Sequence, residues 1–242
     1  MAGAAVKETI ASRRVFETAI DTIADLVEGL GLELTIETDF WDLKSAHEAH
    51  STSGAKTAGM YDIGHGPIPA DARWFAVRDR KGDMIATSAA RPYDWRDTNG
   101  YAEIRSGRAF SLFPDVAKRF RCTVPMEAKL LVGRIGHSGG MWIRPDWRGE
   151  RGNVRLVGLL SEMNRFWAAA YWDADFVWSI IDRGLIEIGK AAHYGYRNVI
   201  PGTAIELPGQ PMRWGYLVIK DRPEMTDDAL ARVRKKKILK AA

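Results

Sequence analysis

Cysteine occurs once in the 242 residues, at Cys122, so no disulfide can form within the chain and nothing points to an oxidising compartment. Long hydrophobic runs are missing as well. The N-terminal "MAGAAVKETIASRR" holds no sustained apolar stretch, and the most apolar window, "FWAAAYWDADFVW", is broken by two aspartates well short of a membrane span. Neither sign of charge dominates: 35 Lys and Arg stand against 31 Asp and Glu, a net +4. The pI is about 9.2, and only the closing "RVRKKKILK" is a dense basic run, expected to be a solvated tail. No internal repeat or Ser-rich linker divides the chain. These absences predict a cytoplasmic protein with no membrane partner and a single domain over 1–242, with residues 221–242 as the basic C-terminal tail.

What is present suffices for a sizeable core, with 46% apolar residues. Phe16, Ile20, Ile23 and Val27 recur at helical spacing and Gly29 and Gly31 follow, which predicts an amphipathic helix over 6–28. "LELTI" alternates like a strand. In 39–69, "FWDLKSAHEAH" reads as helical and the rest as loop chemistry. "RWFAVRDRKGDMIATSAAR" is a hairpin signal around Gly82. "MEAKLLVGRI" and "GGMWIRP" read as two further strands, the second closed by Pro145. Leu156, Leu159, Leu160, Met163, Phe166 and Trp167 mark a helix face; "FVWSII" reads as a strand, "RGLIEIGKAAHY" as a helix and "RWGYLVIK" as a strand. The pattern is that of an α+β fold. Residues 1–69 form its N-terminal helix, strand and variable loops, and this helical extension is its most separable part.

The stretch "PDWRGERGNVRLVGLL" places two arginines and two glycines where a strand ends and a helix begins. A helix start presents unpaired amides at the positive end of its dipole. Gly149 and Gly152 let the backbone approach a ligand, and Arg148 and Arg151 suit phosphate oxygens, so a pyrophosphate is the natural guest. The alternative is a turn whose arginines serve only solubility.

With its flanking strand, "IRPDWRGERGNVRLVGLL" resembles the acyl-CoA-binding motif of the GCN5-related N-acetyltransferases: a hydrophobic strand, a proline, then [Gln/Arg]-x-x-Gly-x-[Gly/Ala] opening a helix. "GKAAHYGYRNV" is similar to the family's second signature, a helix ending in Gly-[Phe/Tyr], here Gly195 and Tyr196. The resemblance covers roughly residues 70–220, the acyl-CoA-binding core. Arg151 and Asn153 stand where the motif has small residues. The resemblance implies a central mixed, mostly antiparallel β-sheet flanked by helices, and acetyl-CoA or another acyl-CoA as cofactor. It implies that the backbone from Arg148 through Gly149, Glu150, Arg151, Gly152 and Asn153 to Val154 holds the pyrophosphate. Trp142 and Ile143, in "GGMWI", would offer backbone to the pantetheine arm.

Acyl transfer to an amine needs a base for the amine, a polarised thioester carbonyl and a proton for the leaving thiolate. The family's usual tyrosine acid falls at Ala191 here. Tyr194 and His193 are the neighbouring candidates for the acid, and His137 for the base, ahead of Glu127 and Asp146. His47 and His50 share an i, i+3 spacing but lack a third ligand, so no metal is expected and both read as surface histidines. Trp142 and Trp178 read as core residues or as walls of an acceptor pocket. The function implied is an N-acyltransferase acting on a small-molecule or peptidyl amine, with a homodimer as one option for its assembly. The alternatives are a catalytically inactive acyl-CoA sensor and an acyltransferase for a tRNA-linked amine, the second resting on the basic tail.

Overall fold

The computed structural model describes residues 2–53, 57, 59–148, 153–207 and 211–241. A long helix, α1 (Ala2–Glu28), leads into strand β1 (Glu33–Glu37) and helix α2 (Phe40–Ala49), whose first turn is capped by the Asp39 carboxylate accepting from the Trp41 amide. Then come β2 (Arg73–Arg78), β3 (Met84–Trp95), α3 (Gly100–Arg105), α4 (Pro114–Ala117), β4 (Arg121–Thr123) and β5 (Gly133–Ile143). The chain ends with α5 (Asn153–Tyr171), β6 (Phe176–Asp182), α6 (Arg183–Glu187), β7 (Asn198–Glu206), β8 (Arg213–Asp221) and α7 (Arg222–Ala241).

The eight strands form one sheet in the order β1-β2-β3-β5-β6-β8-β7-β4. Every neighbouring pair is antiparallel except β5 and β6. A parallel pair needs a crossover, and α5 supplies it. The mixed, mostly antiparallel α+β sheet with an N-terminal helix is the architecture expected from the resemblance.

Two apolar layers sandwich this sheet. On one face Phe16, Ile20, Ile23 and Val27 of α1 pack with Leu156, Leu160, Met163 and Phe166 of α5 and with Met225 and Ala229 of α7. On the other, Phe40 and Leu43 of α2 pack with Tyr61, Trp74, Trp95, Phe110 and Trp178. Strand alternation assigns the faces: His137 and Trp178 point to the α2 side, and Ser138 and Val177 to the α5 side.

Several sequence expectations are corrected. The segments expected as two strands form one, β5, preceded by a 3-10 turn at Met126–Leu130. The helix expected over 183–194 is only α6, followed by a break at Gly189 (φ +73°) and a 3-10 turn at Ala191–Tyr194. β7 escapes sequence reading because Pro201 and Gly202 sit inside it; the register shift between Ile200 and Thr203 absorbs them, as strands do at bulges. Residues 222–241 are a helix rather than a solvated tail, anchored by buried Met225 and Ala229 and by Arg232 paired with Glu162 of α5. Helix α1 is likewise packed into the main core by its buried face.

Candidate active site

The parallel pairing of β5 and β6 is short: Ile135 faces Phe176, Gly136 faces Val177 and His137 faces Trp178. Gly136 keeps this pairing close to α5, since a Cβ there would stand 2.7 Å from Ala168 Cβ. Beyond His137 the strands part. Residues 179–182 of β6 pair only with β8, while β5 stays with β3 through a bulge in which Gly140 and Met141 stand opposite Ser88, between the pairs Ala89/Gly139 and Thr87/Trp142. Gly140 takes φ +61° in that bulge, a left-handed conformation that favours glycine.

A cavity of about 290 Å³ occupies the gap. Its lining comes from both faces of the sheet. On the α5 side it carries hydroxyls, those of Ser138, Ser161, Ser179, Tyr194 and Tyr196; on the α2 side it is apolar, with Met60, Phe110, Ile180, Ile205 and Leu207. The cavity therefore crosses the sheet where its one parallel pair separates.

His137 stands at the throat. It is 5% exposed, its ring meets Trp178 edge-on at 4.5 Å, and its Nδ1 lies 2.8 Å from the Tyr61 hydroxyl oxygen. Tyr61 donates its own proton to the Ala89 carbonyl at 3.0 Å, with the His137 carbonyl at 3.1 Å. That pattern puts a proton on Nδ1 and leaves Nε2 as the acceptor. Nε2 has no hydrogen bond among the described residues. Burial, reinforced by the charge of Arg91, pushes the His137 pKa down to about 3. A neutral imidazole with its Nε2 lone pair at a cavity accepts a hydrogen bond, while burial makes it a weak base that holds a transferred proton only in passing.

The α5 side is built by a relay of side chains. The Ser88 hydroxyl donates to Asn164 Oδ1, and Asn164 Nδ2 donates to Ser138 Oγ at 2.8 Å, leaving the Ser138 proton for another acceptor. The turn 194–196 is held by its carbonyls: Ser161 and Arg165 both donate to the Tyr194 oxygen, and Lys220 donates to that of Gly195. Arg165 and Lys220 are buried and share Asp228 of α7 as counter-ion. Tyr196 lies under Arg165, its hydroxyl buried beside Arg165 and Ser138 without a well-aligned hydrogen bond among the described residues; burial raises its pKa and those two neighbours oppose the rise. Tyr194 is raised as well, by burial and then by the charge of Asp182.

The candidates from sequence fare unevenly. His137 and Tyr194 line the same cavity; His193 is half-buried and does not. His137 is a buried strand residue rather than part of a loop before the strand. Trp142 and Ile143 are buried in β5 beyond the cavity, which ends at Met141, so neither side chain forms its wall. Trp142 stacks on His50 at 4.6 Å. Arg148 donates from Nε to the Ile143 carbonyl at 2.6 Å, tying the end of β5 to the turn before α5. Gly149, Glu150, Arg151 and Gly152 lie outside the described residues, as do the side chains of Asn153 and Val154. Glu127 and Asp146 stand away from the cavity, Asp146 paired with Arg144. His47 is corrected outright: it is 2% exposed, with Nε2 2.8 Å from Thr87 Oγ1. Among the described residues no cluster of three or more metal-binding side chains exists, and no helix is long and apolar enough to cross a membrane.

Sequence reasoning missed Ser138 and Tyr61, though it had His137 as its candidate base. Nothing in "YDIGHG" marks Tyr61, because its partner His137 lies 76 positions away. Tyr196 was in view as part of a signature, yet its orphaned hydroxyl is visible only in three dimensions.

No family model and no curated protein matches the chain. Among solved structures it is similar to FeeM, an N-acyl amino acid synthase from uncultured soil microbes, with 11% identity over 80% of this chain and 92% of that one, at a TM-score of 0.48. It is also similar to a dodecameric spermidine N-acetyltransferase from Vibrio cholerae, with 11% identity over 79% of this chain and 94% of that one, at a TM-score of 0.40. At such identity the chemistry rests on this chain's own geometry.

Proposed function

We propose that the chain is an acyl-CoA-dependent N-acyltransferase of the cytoplasm, acting on a primary amine of a small molecule or peptide, with acetyl-CoA as the simplest donor. The observation that carries this reading is the cavity passing through the sheet where β5 and β6 part, with a neutral, acceptor-ready His137 at its throat. The lining fits an acyl-thioester in kind. Hydroxyls on the α5 side, such as those of Ser138 and Tyr194, suit the amides of a pantetheine arm, and the apolar α2 side suits an acyl group.

Bound acyl-CoA would supply a thioester carbonyl carbon open to an amine. In this reading Ser138 and Tyr194 hold the arm beside the β5 bulge at Gly140. His137 takes the amine proton at Nε2, and Tyr61 keeps the ring in the tautomer that allows it. The Tyr194 hydroxyl supplies a proton on the α5 side. The sheet around His137 excludes water, which strengthens each of these polar contacts.

Calorimetric titration of the purified protein with CoA and acetyl-CoA tests the donor half, and thiol release with a panel of amines tests transfer. Saturable binding at micromolar concentration with amine-dependent thiol release is expected. Heats indistinguishable from dilution for both ligands would remove the reading.

A further inference from the structure

Resting on the acyltransferase reading above, we infer that the α2-side chamber is an acyl-chain pocket and that the preferred donor carries a medium-length hydrocarbon acyl group rather than acetyl. The chamber wall is Met60, Phe110, Ile180, Ile205 and Leu207. Each belongs to the α2-side core or packs against it, so the pocket is an opening into that core. The whole cavity has room for roughly ten water-sized units, several times what an acetyl group fills.

Charge disfavours a cationic occupant. Asp182 is the only carboxylate among the described lining residues; it is exposed, and its Oδ1 accepts from the Gly184 amide at the start of α6. A polyamine or other cationic acceptor seated in the chamber would lose its hydration with no counter-ion to replace it. The basic side chain in the lining, Arg213, stands at the start of β8 beside Trp214, which is 55% exposed. Cations and a surface indole belong to a mouth; the interior is hydrocarbon. Met60 adds a flexible thioether that adapts to chains of different length.

The geometry also orders the guests. His137 lines the cavity, so the reacting carbonyl belongs beside it, and the apolar wall that includes Met60 and Leu207 is the place for whatever is attached to that carbonyl on the side away from sulfur. An acetyl group would leave that wall facing water or a void, and a linear chain would cover it.

The test is a calorimetric series on the intact protein with CoA, acetyl-, butyryl-, hexanoyl- and octanoyl-CoA. The inference expects affinity to rise about threefold to fourfold for each methylene buried. Ile205→Asp and Ile180→Asp, at two half-buried lining positions, are expected to flatten that series while leaving CoA affinity within about twofold. Melting curves of both variants verify that they are folded. Equal affinity of the wild type for acetyl- and octanoyl-CoA, with CoA itself bound, would overturn the acyl pocket and leave the acyltransferase reading standing. Failure of CoA and every thioester to bind would overturn that reading, and the pocket with it.

Discussion

At the scale of single residues, His137 is where structure changes meaning most. In sequence it is one of five histidines, set beside glycines that suggest a loop. In the fold it is sealed by Trp178, oriented by Tyr61 and held neutral by burial. Because its pKa lies near 3, the proton on Nδ1 and the lone pair on Nε2 are constant between pH 5 and 8. His137→Gln is expected to lower kcat by about tenfold to 10²-fold, at or below the low end for a positioned base because a ring with so low a pKa takes up a proton reluctantly, while acyl-CoA affinity holds. Steady-state rates alongside calorimetry check this. The pH profile adds a second reading: the acidic limb of kcat/KM should follow the acceptor amine and move when the amine is changed. A limb fixed near 6.5 for every amine would show that a solvent-exposed histidine does the work instead.

At the scale of elements, β5 organises the site. It offers His137 to one face and Ser138 to the other, pairs with β6 for three residues, then turns away through the bulge at Gly140. A Cβ added to Gly140 would stand 3.0 Å from Ala89 Cβ, and the backbone there has φ +61°. Gly140→Ala is expected to cost about 1–2 kcal/mol from left-handed strain, roughly 2–8 °C in Tm for a chain of this size, and to weaken acyl-CoA binding because Gly140 lines the cavity. A variant with unchanged Tm and affinity would show the bulge to be dispensable. Elements with strong periodicity, such as α1, α5 and the β2–β3 hairpin, were legible in the sequence. β5 was legible only in halves, since its glycines at 133, 136, 139 and 140 look like loop punctuation but serve close approach and the bulge. β4, three residues long, and β7, with proline and glycine inside it, depend on their neighbours for existence. The His193 candidate rested on its nearness to position 191 in an expected helix, which the chain breaks at Gly189.

At the scale of the whole molecule, buried polar groups join layers that periodicity treats separately, and this makes the fold sensitive to acid. His47 links α2 to β3 by its bond to Thr87, and Thr87 in turn donates to the Gly140 carbonyl of β5. Burial, then the charge of His50, lowers His47 to about 4, against an unfolded value near 6.5. A folded pKa below the unfolded one means that the unfolded chain binds more protons between those two values, so stability rises with pH across that window. The contribution is fully present above about pH 6.5 and drains away as the pH falls towards 4. On its own His47 accounts for something on the order of 3 kcal/mol over that range, and His137 acts in the same direction. Tm is therefore expected to drop as pH is lowered from 7 to 5, and to drop less in His47→Gln, which keeps polar atoms near Thr87 but cannot take up the proton. Parallel Tm-against-pH curves for wild type and variant would show that His47 does not carry this linkage. A shallower variant curve would tie the acid sensitivity of the whole fold to the same α2–β3–β5 junction that shapes the candidate site.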